Sequence, residues 1–202
     1  AQIDIWMPTI SNYQVTRAQN RQRFHSEEVW WYFLYGDRPP LPNPTIIDRP
    51  GIEARIITWL AWQERLDGLL YYSIGDWSPD PWNDPWTNDA NGDGFMLYPP
   101  KDTTIATNPC VPSSNRLVPS IRWELLSQGM KDYEYLWLLD QTNPRIGKDT
   151  EADNFIAEFI VSRTLFSRVP TDLADTRSAI ADRLKTKLNY VEPGGVCGNC
   201  LS

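Results

Sequence analysis

Basic residues, thiols and long apolar runs are all in short supply in this chain. It has one histidine, His25, few lysines and a formal net charge of −7. With no basic stripe to neutralise phosphates, a nucleic-acid partner is excluded. The three cysteines, Cys110, Cys197 and Cys200, leave one over if the other two pair, so they define no disulfide scaffold. Cys197-Gly198-Asn199-Cys200 has the spacing of half a metal site, but a four-thiolate site needs two more cysteines and only Cys110 remains; a local disulfide or free thiols are expected instead. No apolar run approaches the ~20 residues that span a bilayer, which gives no membrane partner. The opening AQIDIWMPTI lacks the basic start and apolar stretch of a signal peptide, as expected of a mature or cut chain.

What the chain does hold is apolar and aromatic material: 41% of its 202 residues are hydrophobic and ten are tryptophan, ample for one sizeable folded unit. Tryptophan, tyrosine, asparagine, aspartate and proline crowd into one loop-rich stretch. Sugar sites have this make-up, because aromatic rings offer a flat apolar face to the C–H side of a pyranose while carboxylates and amides bind its hydroxyls. An aromatic core is the alternative for any single tryptophan.

Periodicity divides the chain into alternating units. Ile3-Asp4-Ile5-Trp6-Met7-Pro8 alternates apolar and polar residues and stops at a proline, as a short strand does. A polar, helix-compatible stretch runs from Tyr13 to about His25. Val29-Trp30-Trp31-Tyr32-Phe33-Leu34-Tyr35 is apolar on both faces, the pattern of a parallel strand buried on both sides. After a proline-rich loop, Asp48 precedes Pro50, and Ile52, Ile56, Trp59, Leu60 and Leu66 recur at helical spacing until Gly68. Leu69 to Ile74 reads as a third strand and Gly94 to Tyr98 as a fourth, with a helix from Pro119-Ser120 through Leu139. Thr150 onward predicts two helices, Phe155 to Phe166 and Asp172 to Leu188, with no strand between them, and a glycine-rich tail.

Strands separated by helices or long crossovers indicate parallel βα units, here four strands in one parallel set, half a barrel. The fold class is therefore α/β: the C-terminal half of a (β/α)8 TIM-type barrel over residues 1–142, with a helical extension and tail over 143–202. Strands apolar on both faces cannot stay bare, so the chain is expected to pack against a missing N-terminal barrel half or against a second copy of itself.

Several blocks occur in a fixed order: Val29-Trp30-Trp31-Tyr32; Asp48 to Trp62 running into Asp67-Gly68-Leu69-Leu70-Tyr71-Tyr72-Ser73; Asn91-Gly92-Asp93-Gly94; Ser120-Ile121-Arg122; and Asp132-Tyr133-Glu134-Tyr135-Leu136. Together they resemble the catalytic domain of glycoside hydrolase family 123, also called domain of unknown function 4091, over roughly the first ~140 residues. The resemblance implies a barrel enzyme, secreted or extracytoplasmic, that removes β-linked N-acetylgalactosamine by substrate-assisted retaining hydrolysis. In that scheme an adjacent Asp-Glu pair orients the acetamido nucleophile and protonates the leaving oxygen, so the usual carboxylate spacing does not apply. No Asp-Glu dipeptide occurs here, and family order puts the pair upstream. Glu27-Glu28 precedes a strand, at the end opposite to barrel chemistry. After Ser73 the chain departs from the family pattern, with Gly75-Asp76 at amide and aromatic positions.

Barrel ligands meet the C-terminal ends of strands, which selects the loop Asp76 to Asp93 with Trp77, Trp82 and Trp86 interleaved with Asp80, Asp84 and Asp89. It is either a sugar platform or a lid over the barrel mouth. Tyr32 and Tyr72 are candidate ligand contacts or core residues whose hydroxyls need partners. Arg122 is expected near the same end, binding a ligand oxygen or pairing with Glu124 or Asp48. Asp89, Asn91 and Asp93 have the spacing that opens a calcium loop, but Pro100 stands at its twelfth position, which favours a tight Asx-Gly turn and no cofactor. Three functions follow: a glycosidase completed elsewhere, a non-catalytic glycan-binding module, or a structural half-barrel.

Overall fold

The computed structural model describes residues 3–87, 90–100, 117–140 and 150–189. The three cysteines, with the disulfide or free thiols expected of them, and Asp89 lie outside these residues.

Three parallel strands pair in chain order: β1 (Ile5–Trp6), β2 (Glu28–Phe33) and β3 (Gly68–Tyr71). Helix α1 (Val15–His25) joins the first two and α2 (Ile52–Gln63) the last two, so each link is a βαβ crossover as the sequence pattern requires. The expected parallel pairing around Trp31 and Tyr72 holds, with Trp31 opposite Leu69 and Phe33 opposite Tyr71.

Two expectations about strands are corrected. The fourth strand does not join the parallel set: only β6 (Leu97–Tyr98) forms, and it pairs antiparallel with β7 (Val118–Pro119). A bridge between Gly75 and Phe95, also antiparallel, turns the chain back against the end of the third strand's loop. The segment before β6 turns at Gly92 and Gly94, both at positive φ, and its main chain bonds back to Ile74 and Asp76 in place of β3. Nor is β2 buried on both faces. Val29, Trp31 and Phe33 enter the core, while Glu28, Trp30 and Tyr32 are half-buried on the opposite face.

Helix α2 is the centre of the core. It is buried almost throughout, because its apolar residues wrap the whole cylinder and two neighbours receive them, the sheet on one side and α3 (Ile121–Asp140) on the other. The helices α2 and α3 approach closely at Gly129, where an added Cβ would lie 2.5 Å from the Arg55 carbonyl oxygen. Asp132, fully buried on α3, accepts from Arg55 Nε at 2.6 Å and from Trp59 Nε1 at 3.1 Å, and is also paired with Arg177.

The first expected helix of the C-terminal region is also corrected. Helix α4 (Glu151–Ala157) opens on a capping box between Thr150 and Asp153 but ends by Ala157; a hairpin follows, β8 (Ile160–Ser162) and β9 (Leu165–Phe166). The apolar residues of that stretch fit either period, and tertiary packing of Ile160 and Phe166 into the core decides for the strand. Helix α5 (Pro170–Lys187) then lays Leu173, Ile180 and Leu184 into the same hydrophobic cluster as Trp59. A salt bridge joins this region to the βα core: Arg168 Nε donates to Glu53 Oε1 at 3.2 Å and Arg168 Nη2 to the Pro40 carbonyl at 2.9 Å.

Candidate functional site

Because β2 and β3 are parallel, the loops that follow them, residues 34–51 and 72–96, emerge at one end of the sheet. The two loops are tied together. Ile47 N–H donates to the Asn91 carbonyl at 2.9 Å, and Asn91 Nδ2 donates to Asp48 Oδ1 at 3.1 Å. Asp48 thus braces the loops; it does not cap α2, whose N-terminal boundary is Gly51.

The loop after β2 is tied by buried hydrogen bonds. Asn43, buried, donates from Nδ2 to the carbonyls of Leu34 and Asp37 and accepts from the Thr45 N–H and hydroxyl. Glu53 on α2 accepts from the Asn43 N–H at 2.9 Å and from Arg49 Nε at 2.8 Å.

The loop after β3 is anchored at Asp93, which is fully buried. Tyr71 donates to its Oδ1 at 2.8 Å and Tyr72 to its Oδ2 at 3.2 Å, and the Gly94 N–H donates to the Tyr71 hydroxyl. Burial pushes the Tyr71 hydroxyl well above its ordinary range, with the Asp93 charge adding to the effect, so it stays a donor at any working pH. Gly92 and Gly94 sit at φ of +78° and +86°, the tight turn expected of Asn91-Gly92-Asp93-Gly94; a Cβ on Gly94 would collide with the Tyr72 hydroxyl. Asp93 gives its oxygens to the tyrosines and Asn91 faces Asp48, so neither described member of the calcium triplet is arranged as a ligand. Among the described residues no group of three histidine, cysteine, aspartate or glutamate side chains could hold a metal ion.

Arg122 is buried at the start of α3 and spends its guanidinium on main-chain carbonyls, those of Thr45, Gly92 at 3.0 Å and Phe95 at 2.8 Å. Burial lowers its pKa, with Tyr98, Tyr71 and Asp93 opposing. Neither expected pairing, with Glu124 or with Asp48, is among these bonds. The arginine knits both loops to the helix because its fork places two nitrogens, Nη1 on the Thr45 and Gly92 carbonyls and Nη2 on that of Phe95, at separate points.

The three loop tryptophans divide. Trp82 stacks on Tyr98, ring centres 4.7 Å apart, and donates to the Pro99 carbonyl at 3.0 Å; Trp77 donates to the Leu97 carbonyl at 2.7 Å. Both are pinned by their indole N–H groups to the chain around β6. Trp86 begins a short hairpin, β4 (Trp86–Thr87) with β5 (Ala90–Asn91), and is 57% exposed. Tyr72 and Asp76 are exposed at the same end, and Tyr32 is half-buried on the face of β2 opposite the core.

Sequence reading missed one group here. Between the two loops lies a cavity of about 130 Å³, with Tyr35, Asp37, Arg38, Asp48, Trp86 and Asn91 among its lining residues. Asp37 follows β2 within the Tyr35-Gly36-Asp37 turn, and its position after a strand in a βα unit was the available signal.

A family model, Glycoside hydrolase 123, catalytic domain, matches residues 3–139. The chain belongs to that glycoside hydrolase family. Among solved structures, the chain is similar to a family 123 glycoside hydrolase from Clostridium perfringens, described for the details of its glycolipid glycan hydrolysis, with 18% identity and a TM-score of 0.56. The alignment covers 93% of this chain but 32% of that one, so the chain spans about a third of that relative's length. At this identity the likeness is one of fold. A comparison with curated proteins finds no match.

Proposed function

We propose that this chain forms the C-terminal part of a glycan-acting (β/α)8 barrel and supplies its aromatic binding wall, while the general acid comes from an upstream Asp-Glu pair. The observation that carries the reading is the tryptophan loop itself: exposed Trp86, Trp77, Tyr72 and Asp76 share the C-terminal end of a parallel sheet in a family 123 domain. By family, the reaction is substrate-assisted retaining removal of β-linked N-acetylgalactosamine, and the location is outside the cytoplasm. The residues given to the substrate are Tyr72, Asp76, Trp77 and Trp86, with Trp82 stiffening the wall and Tyr32 facing the barrel interior. Asp93 and Arg122 act from beneath, holding the loops in place.

The half-buried face of β2 supports the view that the other barrel half, in the same polypeptide or in a second copy, covers it. A non-catalytic glycan-binding half-barrel is the second reading, favoured by the absence of any Asp-Glu dipeptide in these 202 residues. Assay on an aryl N-acetyl-β-galactosaminide separates the two. The chain alone should bind glycan without cleaving it, and addition of the upstream polypeptide should restore cleavage. A lone chain that turns over substrate at an enzyme's rate would refute the upstream acid. If Trp77→Ala, Trp82→Ala and Trp86→Ala all leave glycan titrations unchanged in folded protein, the loop is a lid.

A further inference from the structure

The aromatic side chains of the loop after β3 turn their polar ends inward. Tyr72 donates to Asp93 Oδ2 at 3.2 Å, Trp77 to the Leu97 carbonyl at 2.7 Å and Trp82 to the Pro99 carbonyl at 3.0 Å. A phenol and an indole each carry a single donor proton, so these three side chains have none left for a ligand. Yet Tyr72 is 42% exposed and Trp77 is 39% exposed. What the two residues show to solvent is chiefly ring carbon, the surface that stacks on the C–H side of a pyranose.

Tyr72 has a carboxylate for a neighbour. Gly94, buried, touches both Tyr72 and Asp76: a Cβ there would lie 2.4 Å from the Tyr72 hydroxyl and 3.1 Å from the Asp76 Cβ. The Asp76 main chain is fixed at the same point, its N–H donating to the Gly94 carbonyl at 2.9 Å. Its side chain is not. Asp76 is exposed, and among the described residues no hydrogen bond or ion pair engages its carboxylate. A ring with its donor spent, beside a carboxylate that only accepts, suits a ligand with an apolar C–H face and a hydroxyl donor at its edge. A carbonyl or an anion set against Asp76 would oppose acceptor to acceptor.

We propose that Tyr72 and Asp76 form one glycan subsite, in which a sugar stacks on the tyrosine ring and a hydroxyl at its edge donates to the Asp76 carboxylate, while the tyrosine hydroxyl serves the fold alone. The proposal rests on the glycan reading above and adds to it a division of labour. Tyr72 reads the apolar face of the sugar, and Asp76 selects for a hydroxyl beside that face.

The test is a calorimetric titration of the whole chain with methyl N-acetyl-β-galactosaminide, for the wild type and for Tyr72→Phe, Tyr72→Leu and Asp76→Ala. Near-UV circular dichroism checks that each variant is folded. Tyr72→Phe keeps the ring and loses only the hydroxyl, so its affinity should stay within about twofold of the wild type while amide exchange at Gly94 quickens. Tyr72→Leu keeps apolar bulk without a ring, and Asp76→Ala removes the acceptor from an exposed position. Each should weaken binding about fivefold, the size expected for one stacked ring or one hydrogen bond. In the saturated wild type, nuclear Overhauser contacts should join the Tyr72 ring protons to sugar C–H protons, a readout that depends on no variant. Tyr72→Phe as weak as Tyr72→Leu would make the hydroxyl the ligand contact and overturn the subsite. So would wild-type affinity in folded Tyr72→Leu or Asp76→Ala, or a saturated complex without those proton contacts, and each of these leaves the glycan reading intact. A wild type that does not bind the sugar would overturn the glycan reading and the subsite with it.

Discussion

The Tyr71 hydroxyl donates to Asp93 Oδ1 at 2.8 Å and accepts from the Gly94 N–H, so the last residue of the third parallel strand fixes the far end of the tryptophan loop. Removing that oxygen leaves a fully buried carboxylate with one fewer donor and a backbone N–H with no acceptor. Tyr71→Phe should cost about 1–3 kcal/mol, measured by urea unfolding. Amide exchange should quicken at Gly94 and Met96 well before it does in α2. Unchanged exchange there would show that the loop is held by other contacts.

Arg122 carries the same logic further. Its three carbonyl partners lie on the loop after β2, the Gly92 turn and the segment before β6. Lysine carries its three donors on a single nitrogen and cannot take both the Nη1 and Nη2 positions, so Arg122→Lys should lower stability by about 3 kcal/mol and Arg122→Met by at least as much. A thermal melt within a degree or two of wild type for Arg122→Lys would show that the guanidinium is dispensable to the fold and free for a ligand.

At the crossing of α2 and α3, Gly129 leaves no space for a methyl group, since the nearest atom is backbone and not the end of a flexible side chain. Gly129→Ala should destabilise by about 1–3 kcal/mol through overpacking, even though alanine is the better helix former. Stabilisation instead would mean that the helices separate freely at this point.

Acid should act oppositely on two carboxyls. For Asp153, burial alone would raise the pKa, but Arg65 and the Thr150 N–H and hydroxyl outweigh it and hold the group below its ordinary range. Its contribution is present above the unfolded value and is lost as pH falls through the folded one. The stability gap between wild type and Asp153→Asn should therefore shrink on acidification from neutral pH towards pH 3. Asp37 is raised, by burial first, so its charged form costs stability at neutral pH and the cost disappears as pH falls through its folded value. Relative to Asp37→Asn, the wild type should gain stability between neutrality and about pH 4, below which the unfolded form also protonates. Parallel curves for either pair, by denaturant titration at several pH values, would contradict the assignment.

Trp86 and Trp82 should separate stability from binding. Trp82 packs on Tyr98 and bonds to Pro99, so Trp82→Ala should lower stability by about 3 kcal/mol; exposed Trp86 should cost under 1 kcal/mol when truncated, and weaken glycan binding at least fivefold. The reverse ranking would mean that the pinned tryptophan is the platform.

The parallel strands and their helices were legible because their signals are local and periodic. Val29 to Phe33 is an unbroken β-forming run, Ile52 to Trp62 has helical spacing, and Gly68 marks the join. The block order from Val29 to Leu136 carried the family for the same reason, being a property of the chain and not of its folding. The Asn91-Gly92-Asp93-Gly94 turn was also written locally, since positive φ selects glycine. What the sequence by itself could not determine depends on distant partners. Arg122 could have faced a ligand, Glu124 or Asp48 until folding brought three carbonyls within its reach. Residues 160–166 fit helix or strand until the core received Ile160 and Phe166. The cavity beside Asp37 lies between two loops whose main chains meet at Ile47 and Asn91, a contact over forty residues apart that no local pattern encodes. Periodicity thus settled which segments became helices and strands, and tertiary contact alone settled which partners the buried polar groups found.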